Sequence, residues 1–180
     1  MGKTALLVVD MLNEALSGIF ANDRIKSIVP PLVRLRDAAK EKNIPIIYAN
    51  DAHIKGLDKE LQLWGDHSIR NTEGSKVIDE LTPDENDFIV PKRRYSSFFQ
   101  TDLHLLLTEL GVDTLIITGL LAHICVLQTA ADAYFWGYNL IMPLDGTESG
   151  DEKDYEYSMN YFRTIYAAKT PTIDELIPTL

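Results

Sequence analysis

Short apolar runs that alternate with stretches of helical spacing constrain this chain more than any other feature. Thr4-Ala-Leu-Leu-Val-Val9 ends at Asp10, and Ile44-Pro-Ile-Ile-Tyr48 leads into Ala49-Asn50-Asp51. Asp87-Phe-Ile-Val90, Asp113-Thr-Leu-Ile-Ile-Thr-Gly119, residues 139–142 and a sixth run at 165–168 complete the set. Between them Leu32, Leu35 and Ala39 repeat at helical spacing within 31–42, and 75–81 reads as a short helix. Residues 101–110 form a helix closed by Gly111, and 126–137 and 155–163 read as helices. Strands that are apolar throughout and alternate with helices imply a parallel sheet covered on both faces. The expected fold is therefore α/β: a three-layer αβα sandwich, doubly wound, on a mostly parallel sheet of five or six strands. One domain over residues 1–180 accounts for the pattern, since no repeat, low-complexity stretch or linker interrupts it. The longest irregular segment, residues 50–74, is of a length that usually carries function.

Composition narrows the function classes. At 46% hydrophobic residues the chain can bury a substantial core. Its 27 acidic against 17 basic side chains give a net charge of -10, which disfavours nucleic acid and anionic membrane as partners. The basic cluster Lys92-Arg93-Arg94 is too short for a nucleic-acid patch. No apolar run is long enough to span a membrane, and no signal peptide is evident. With one cysteine and hence no internal disulfide, a cytoplasmic location is expected.

That cysteine, Cys125, lies in Gly119-Leu-Leu-Ala-His-Ile-Cys125-Val, where a strand passes into a helix. Free backbone N–H groups and the positive end of the helix dipole favour a thiolate there, although a lone cysteine also packs as a small hydrophobe. In parallel sheets ligands bind beyond the carboxyl ends of the strands. Asp10 follows the first strand, Lys92 the third and Cys125 the fourth, so all three fall on that edge. Together they supply a thiol to attack a carbonyl, a carboxylate to carry its proton, and a cation beside the thiol. Each alone has a bland reading: Asp10 as a turn cap, Lys92 as a solvated lysine. No Gly-x-Ser-x-Gly, Gly-x-Gly-x-x-Gly or Walker-type motif is present, so serine hydrolysis and a nucleotide cofactor are not expected.

The ordered set Leu7-Val-Val-Asp10-Met, Val90-Pro-Lys92-Arg-Arg-Tyr-Ser-Ser-Phe98, and Gly119-Leu-Leu-Ala-His-Ile-Cys125-Val with Thr129-Ala-Ala-Asp132-Ala resembles the isochorismatase-like cysteine hydrolases. That superfamily includes N-carbamoylsarcosine amidase, nicotinamidase and isochorismatase. The resemblance covers about residues 4–145. It implies Asp10 as general acid and base, Lys92 as its charged partner and Cys125 as nucleophile. It also implies an oxyanion hole from the backbone N–H groups of Leu121 and Cys125, a cis peptide at Leu120-Leu121, and a homo-oligomer, a dimer or a tetramer. Ala122 departs from the threonine often found there. On this basis the expected activity is that of a cysteine amidohydrolase releasing ammonia from a small N-carbamoyl compound or amide. N-carbamoylsarcosine amidase-like activity ranks first and nicotinamidase second, since the segment after Asp10 lacks the Gln and the Asp-Phe pair usual in nicotinamidases. A non-catalytic α/β binding module is the alternative of a different class, and an unreactive Cys125 would mark it.

Asp51-Ala-His53 and His67 form a second constellation. Residues 51 and 53 project from one side of an extended segment and His67 can return across the loop. One carboxylate and two imidazoles suit Zn or another divalent transition metal, while the plainer reading is three loop residues near a cleft. The resemblance adds that nicotinamidases carry such a set with Trp three residues before the second His, as in Trp64-Gly-Asp-His67. Trp64, Tyr95 and Phe98 are candidates for an aromatic substrate wall and His123 for a pocket residue. His104 is expected to be solvated. Arg93 or Arg94 could bind a substrate carboxylate.

Overall fold

The first apolar run forms β1 (Lys3–Val9), and its residues divide between two cores. Ala5, Leu7 and Val9 face one, Leu6 and Val8 the other, because successive side chains of a strand point to opposite faces. The computed structural model describes residues 2–18 and 21–180. The remaining strands are β2 (Ile46–Asp51), β3 (Phe88–Lys92), β4 (Val112–Leu120), β5 (Asn139–Ile141) and β6 (Thr147–Glu148). The helices are α1 (Asn13–Ser17), α2 (Asp23–Ser27), α3 (Val29–Glu41), α4 (Leu61–Trp64), α5 (Leu103–Leu110), α6 (Leu127–Phe135), α7 (Glu152–Ile165) and α8 (Ile173–Leu176).

The sheet order is β3-β2-β1-β4-β5 with β6 continuing alongside β4, and every pairing is parallel. Leu103 and Leu107 of α5, Ala130 and Ala133 of α6, and Met159 and Phe162 of α7 close the first face. Ile25 of α2, Leu32, Leu35 and Ala39 of α3, and Ile173 and Leu176 of α8 close the second. This is the expected three-layer, doubly wound architecture with six strands. Gly111 caps α5 in the left-handed conformation at φ 70°, as its position predicts. No helix of the described residues is long and apolar enough to cross a membrane.

Three elements differ from expectation. The run at 165–168 is not a strand: the stripe Met159, Phe162 and Tyr166 keeps helical spacing, α7 extends to Ile165, and Ala167 turns the chain at φ 52°. The sixth strand is β6, where Thr147 pairs with Gly119 at the end of β4. The segment 75–81 is not one helix but two single 3-10 turns, Glu73–Ser75 and Asp79–Leu81, since Leu12 bridges to Val77 between them. The long loop after β2 also has order of its own. His53 N–H donates to the Ser68 carbonyl at 3.0 Å and Arg70 N–H to the His53 carbonyl at 3.0 Å, so the loop folds back on itself around α4.

Candidate active site

The strand order reverses between β1 and β4, and the crevice beyond their carboxyl ends is where such sheets bind ligands. Asp10 leaves β1 with φ 52°, a left-handed conformation that Asp tolerates better than most residues, and its Oδ1 accepts the Asp51 N–H at 2.7 Å. Asp51 ends β2 and Lys92 ends β3, paired across the sheet in register. Cys125 lies in a π turn, Ala122–Val126, inserted between β4 and α6; such turns are rare and concentrate at functional sites. The Leu120-Leu121 peptide just before it is cis, as the resemblance implies.

Lys92 draws the three strands' contributions together. Its Nζ is 2.8 Å from Asp10 Oδ2, 2.7 Å from Asp51 Oδ1 and 3.6 Å from Cys125 Sγ, with the residue only 1% exposed. Burial alone would discharge this ammonium, but the two carboxylates outweigh it and hold Lys92 well above its ordinary value. Burial and then the neighbouring Asp51 carboxylate push Asp10 up to about 6, against Lys92. Asp51 is lowered: its burial is offset by Lys92 and His53. The thiol moves the other way from expectation. Burial, joined by the charges of Asp10 and Asp51, outweighs Lys92 and raises Cys125 well above a free cysteine. Burial therefore favours the thiol form of the candidate nucleophile, against the helix-start effect that favours a thiolate.

A small cavity of about 70 Å³ opens onto this group. Trp64 and Tyr95 line it, as expected of an aromatic wall, and Trp64 Nε1 donates to the Tyr95 hydroxyl at 2.9 Å. Leu12, Leu120, Leu121 and Ile124 make the rest of the wall mostly apolar. His123 is not on that wall; its Nε2 faces Asp154 Oδ2 of α7 at 3.8 Å. Phe98 is packed in the first core. His104 is half-buried, stacking on Trp136 at 3.9 Å and meeting the Tyr138 hydroxyl at 3.0 Å. Arg93 grips Asp58 with two guanidinium nitrogens, and Arg94 Nη1 donates to the Arg93 carbonyl, so neither faces the cavity.

Asp51, His53 and His67 converge: one ligand atom from each lies within 4.8 Å of the others, all three residues buried. The loop's return between His53 and Ser68 brings His67 there. His53 Nδ1 is 3.2 Å from Asp58 and His67 Nδ1 is 2.9 Å from the Gly65 carbonyl, which leaves Nε2 of each ring on the inner side. His53 Nε2 is buried with no hydrogen bond, and Glu60 Oε2, likewise unpartnered, is 3.8 Å away. The orphaned His53 Nε2 facing the Glu60 carboxylate, with the far ring nitrogen of each histidine anchored, fits a divalent cation. Burial would lower His53, but Asp51, Asp58 and Glu60 raise it.

Sequence reasoning missed Glu60, Asp58 and Glu14. Asp58, held well below the usual carboxylate range first by Arg93, anchors His53, and nothing in the polar run around it marks that role. Glu14 lines the cavity and accepts the Ser68 N–H at 2.7 Å, and nothing in the segment after Asp10 marks that place.

A family model for the isochorismatase domain matches residues 4–174. An uncharacterized isochorismatase family protein of Bacillus subtilis, YaaI, is 34% identical over 96% of this chain and 96% of its own length. The crystal structure of N-carbamoylsarcosine amidase from Thermoplasma acidophilum superposes with a TM-score of 0.89 at 35% identity, covering 96% of this chain and 97% of that one. Nicotinamidase PncA from Bacillus subtilis gives 0.88 at 30% identity, over 94% and 99%. By its matched length, its fold and these similarities, the chain belongs to the isochorismatase family of hydrolases.

Proposed function

We propose that this protein is a cysteine amidohydrolase that releases ammonia from a small amide or N-carbamoyl compound through a thioester. The observation that carries the reading is the single buried ammonium of Lys92 within reach of Asp10, Asp51 and the Cys125 thiol at the sheet's switch point. Because burial raises the Cys125 thiol, deprotonation is coupled to attack in this reading. Asp10 takes the thiol proton as Sγ bonds to the carbonyl carbon, and Lys92 keeps the developing charges tolerable in a buried site. Backbone N–H groups of Leu121 and Cys125 hold the oxyanion, a contribution typically of about 3 kcal/mol per donor. Asp10 then returns the proton to the departing amine, the C–N bond breaks, and ammonia leaves. Water, deprotonated by Asp10, attacks the thioester, and the thiol and a carboxylic or carbamic acid are regenerated.

Asp51, His53 and His67, with Glu60 beside them, would hold a divalent transition metal, which when bound supplies a Lewis acid that orients a lone-pair atom of the substrate. The aromatic pair Trp64 and Tyr95 next to that group favours a second reading, a nicotinamidase-like substrate with a flat ring.

Ammonia release from a panel of N-carbamoylsarcosine, nicotinamide, pyrazinamide and simple ureido acids tests the chemistry. Cys125→Ala is expected to abolish release while leaving the fold intact. Undiminished release by that variant would refute a covalent mechanism.

A further inference from the structure

We propose that Arg93 is a positioning residue for the candidate cation site: it clamps Asp58, Asp58 fixes the proton of the His53 ring on Nδ1, and Nε2 is left as the nitrogen offered to a divalent cation. The inference rests on the metal reading for the use of that nitrogen, and on geometry alone for which nitrogen is offered. Lys92 ends β3 and Arg93 follows it directly. The two side chains then serve different carboxylates. Lys92 Nζ reaches Asp51 Oδ1 at 2.7 Å, whereas Arg93 reaches Asp58 with Nε, 3.0 Å from Oδ1 and 3.1 Å from Oδ2, and with Nη2. The Ala52 N–H, between Asp51 and His53, donates to the Lys92 carbonyl at 2.8 Å. One dipeptide thus holds Asp51 directly and His53 at one remove.

The Asp58 side chain is fully buried, and both of its oxygens are engaged. Besides Arg93, Oδ2 accepts the Ile54 N–H at 2.8 Å and lies 3.2 Å from His53 Nδ1. A carboxylate paired with a guanidinium can only accept, so the hydrogen in that last contact belongs to Nδ1. Across the ring, Nε2 is 3.7 Å from Asp51 Oδ2 and 3.8 Å from Glu60 Oε2, beyond hydrogen-bond distance, and it is buried without a partner. A ring nitrogen and two carboxylates that all present lone pairs to one gap are satisfied together by a cation. The Arg93 side chain is 46% exposed, and an ion pair so placed adds little stability through charge alone. What its fork supplies is orientation, because paired N–H groups hold the carboxylate plane where a point charge would let it turn. Without Arg93, Asp58 can swing away and the ring proton can settle on Nε2, which closes that nitrogen to a cation.

Nitrogen-15 spectra that correlate ring protons with ring nitrogens show which nitrogen of a neutral histidine carries the hydrogen. They are recorded on the metal-free, full-length protein at alkaline pH, with His53→Gln to assign the ring. His53 is expected to carry its proton on Nδ1 in the unaltered protein and to populate both tautomers in Arg93→Gln. Zn affinity, measured by competition with a chromogenic chelator, should weaken by about tenfold or more in Arg93→Gln and in Asp58→Asn, as when outer partners of ligating histidines are lost. Arg93→Lys, charged but not forked, should recover only part of that loss. Thermal melts establish that the variants are folded, and Arg93→Lys carries the comparison if Arg93→Gln is not. A proton on Nε2 in the unaltered protein, or a Zn affinity in Arg93→Gln within about twofold of the unaltered value, overturns the assignment. A tautomer that depends on Arg93 in a protein that binds no Zn would sink the metal reading alone. Zn binding indifferent to Arg93 would sink the Arg93 assignment alone.

Discussion

Lys92 is the residue on which the energetics of the site concentrate. A buried ammonium shared by two carboxylates leaves uncompensated charge when it is removed, and such losses are about 3–5 kcal/mol. Lys92→Met is expected to lower the unfolding free energy by that much in a urea titration. The same substitution removes the positive charge that opposes burial at Cys125. Iodoacetamide should therefore label Cys125 more slowly at pH 7 than it labels free cysteine, and more slowly still in Lys92→Met. Equal rates with and without Lys92 would dissociate the pair. Asp10, pushed up to about 6, accepts a proton only when ionised, so activity should be full above that value and fall as pH drops through it. A flat profile of kcat/KM between about pH 5 and pH 8 would count against Asp10 as the proton acceptor. The identities of Asp10, Lys92 and Cys125 were legible because each follows an apolar run. The protonation state of the thiol was not, because desolvation depends on everything packed around it and not on the helix start alone.

At the scale of elements, the contact between β1 and β4 holds the crevice in shape. Gly119 stands opposite Val9 at φ 102°, and a Cβ there would lie 2.0 Å from the Val9 carbonyl oxygen. The neighbour is backbone and has no rotamer to yield. Gly119→Ala is expected to destabilise the fold by about 3 kcal/mol or more, from backbone strain and overlap together, as read by denaturant unfolding. A loss below about 1 kcal/mol would mean that the two strands can separate there without harm. The strands and the larger helices were readable from periodicity, since apolar runs and 3.6-residue spacing report which side chains must be buried. What failed was local: the helical stripe through Tyr166 was read as a strand, and the return of the loop between His53 and Ser68 is made by backbone hydrogen bonds that leave no pattern in side-chain polarity.

For the whole molecule, a ligand that binds only the folded chain adds its binding free energy to stability. A divalent metal held by Asp51, His53 and His67 at about 100 times its dissociation constant should add about 2.7 kcal/mol, a rise of roughly 5–10 °C in Tm for a domain of this size. Zn or Mn should give that rise in a thermal melt, a chelator should reverse it, and His67→Ala should eliminate it. No shift with any of Zn, Mn and Fe would count against a metal at this site. The ligand group spans a strand end and a folded-back loop, so only the assembled fold can form it. By itself the sequence determined the α/β layering, the sheet with both faces buried, and the placing of an acid, a lysine and a thiol on one edge, because hydrophobic periodicity and strand ends are local properties. Only the tertiary structure decided that Lys92 is shared by two carboxylates, that Arg93 pairs with Asp58, that His123 stands off the cavity wall, and that Glu14 stands on it. Those outcomes depend on which side chain reaches which partner across the folded chain, and distance and desolvation in three dimensions settle that.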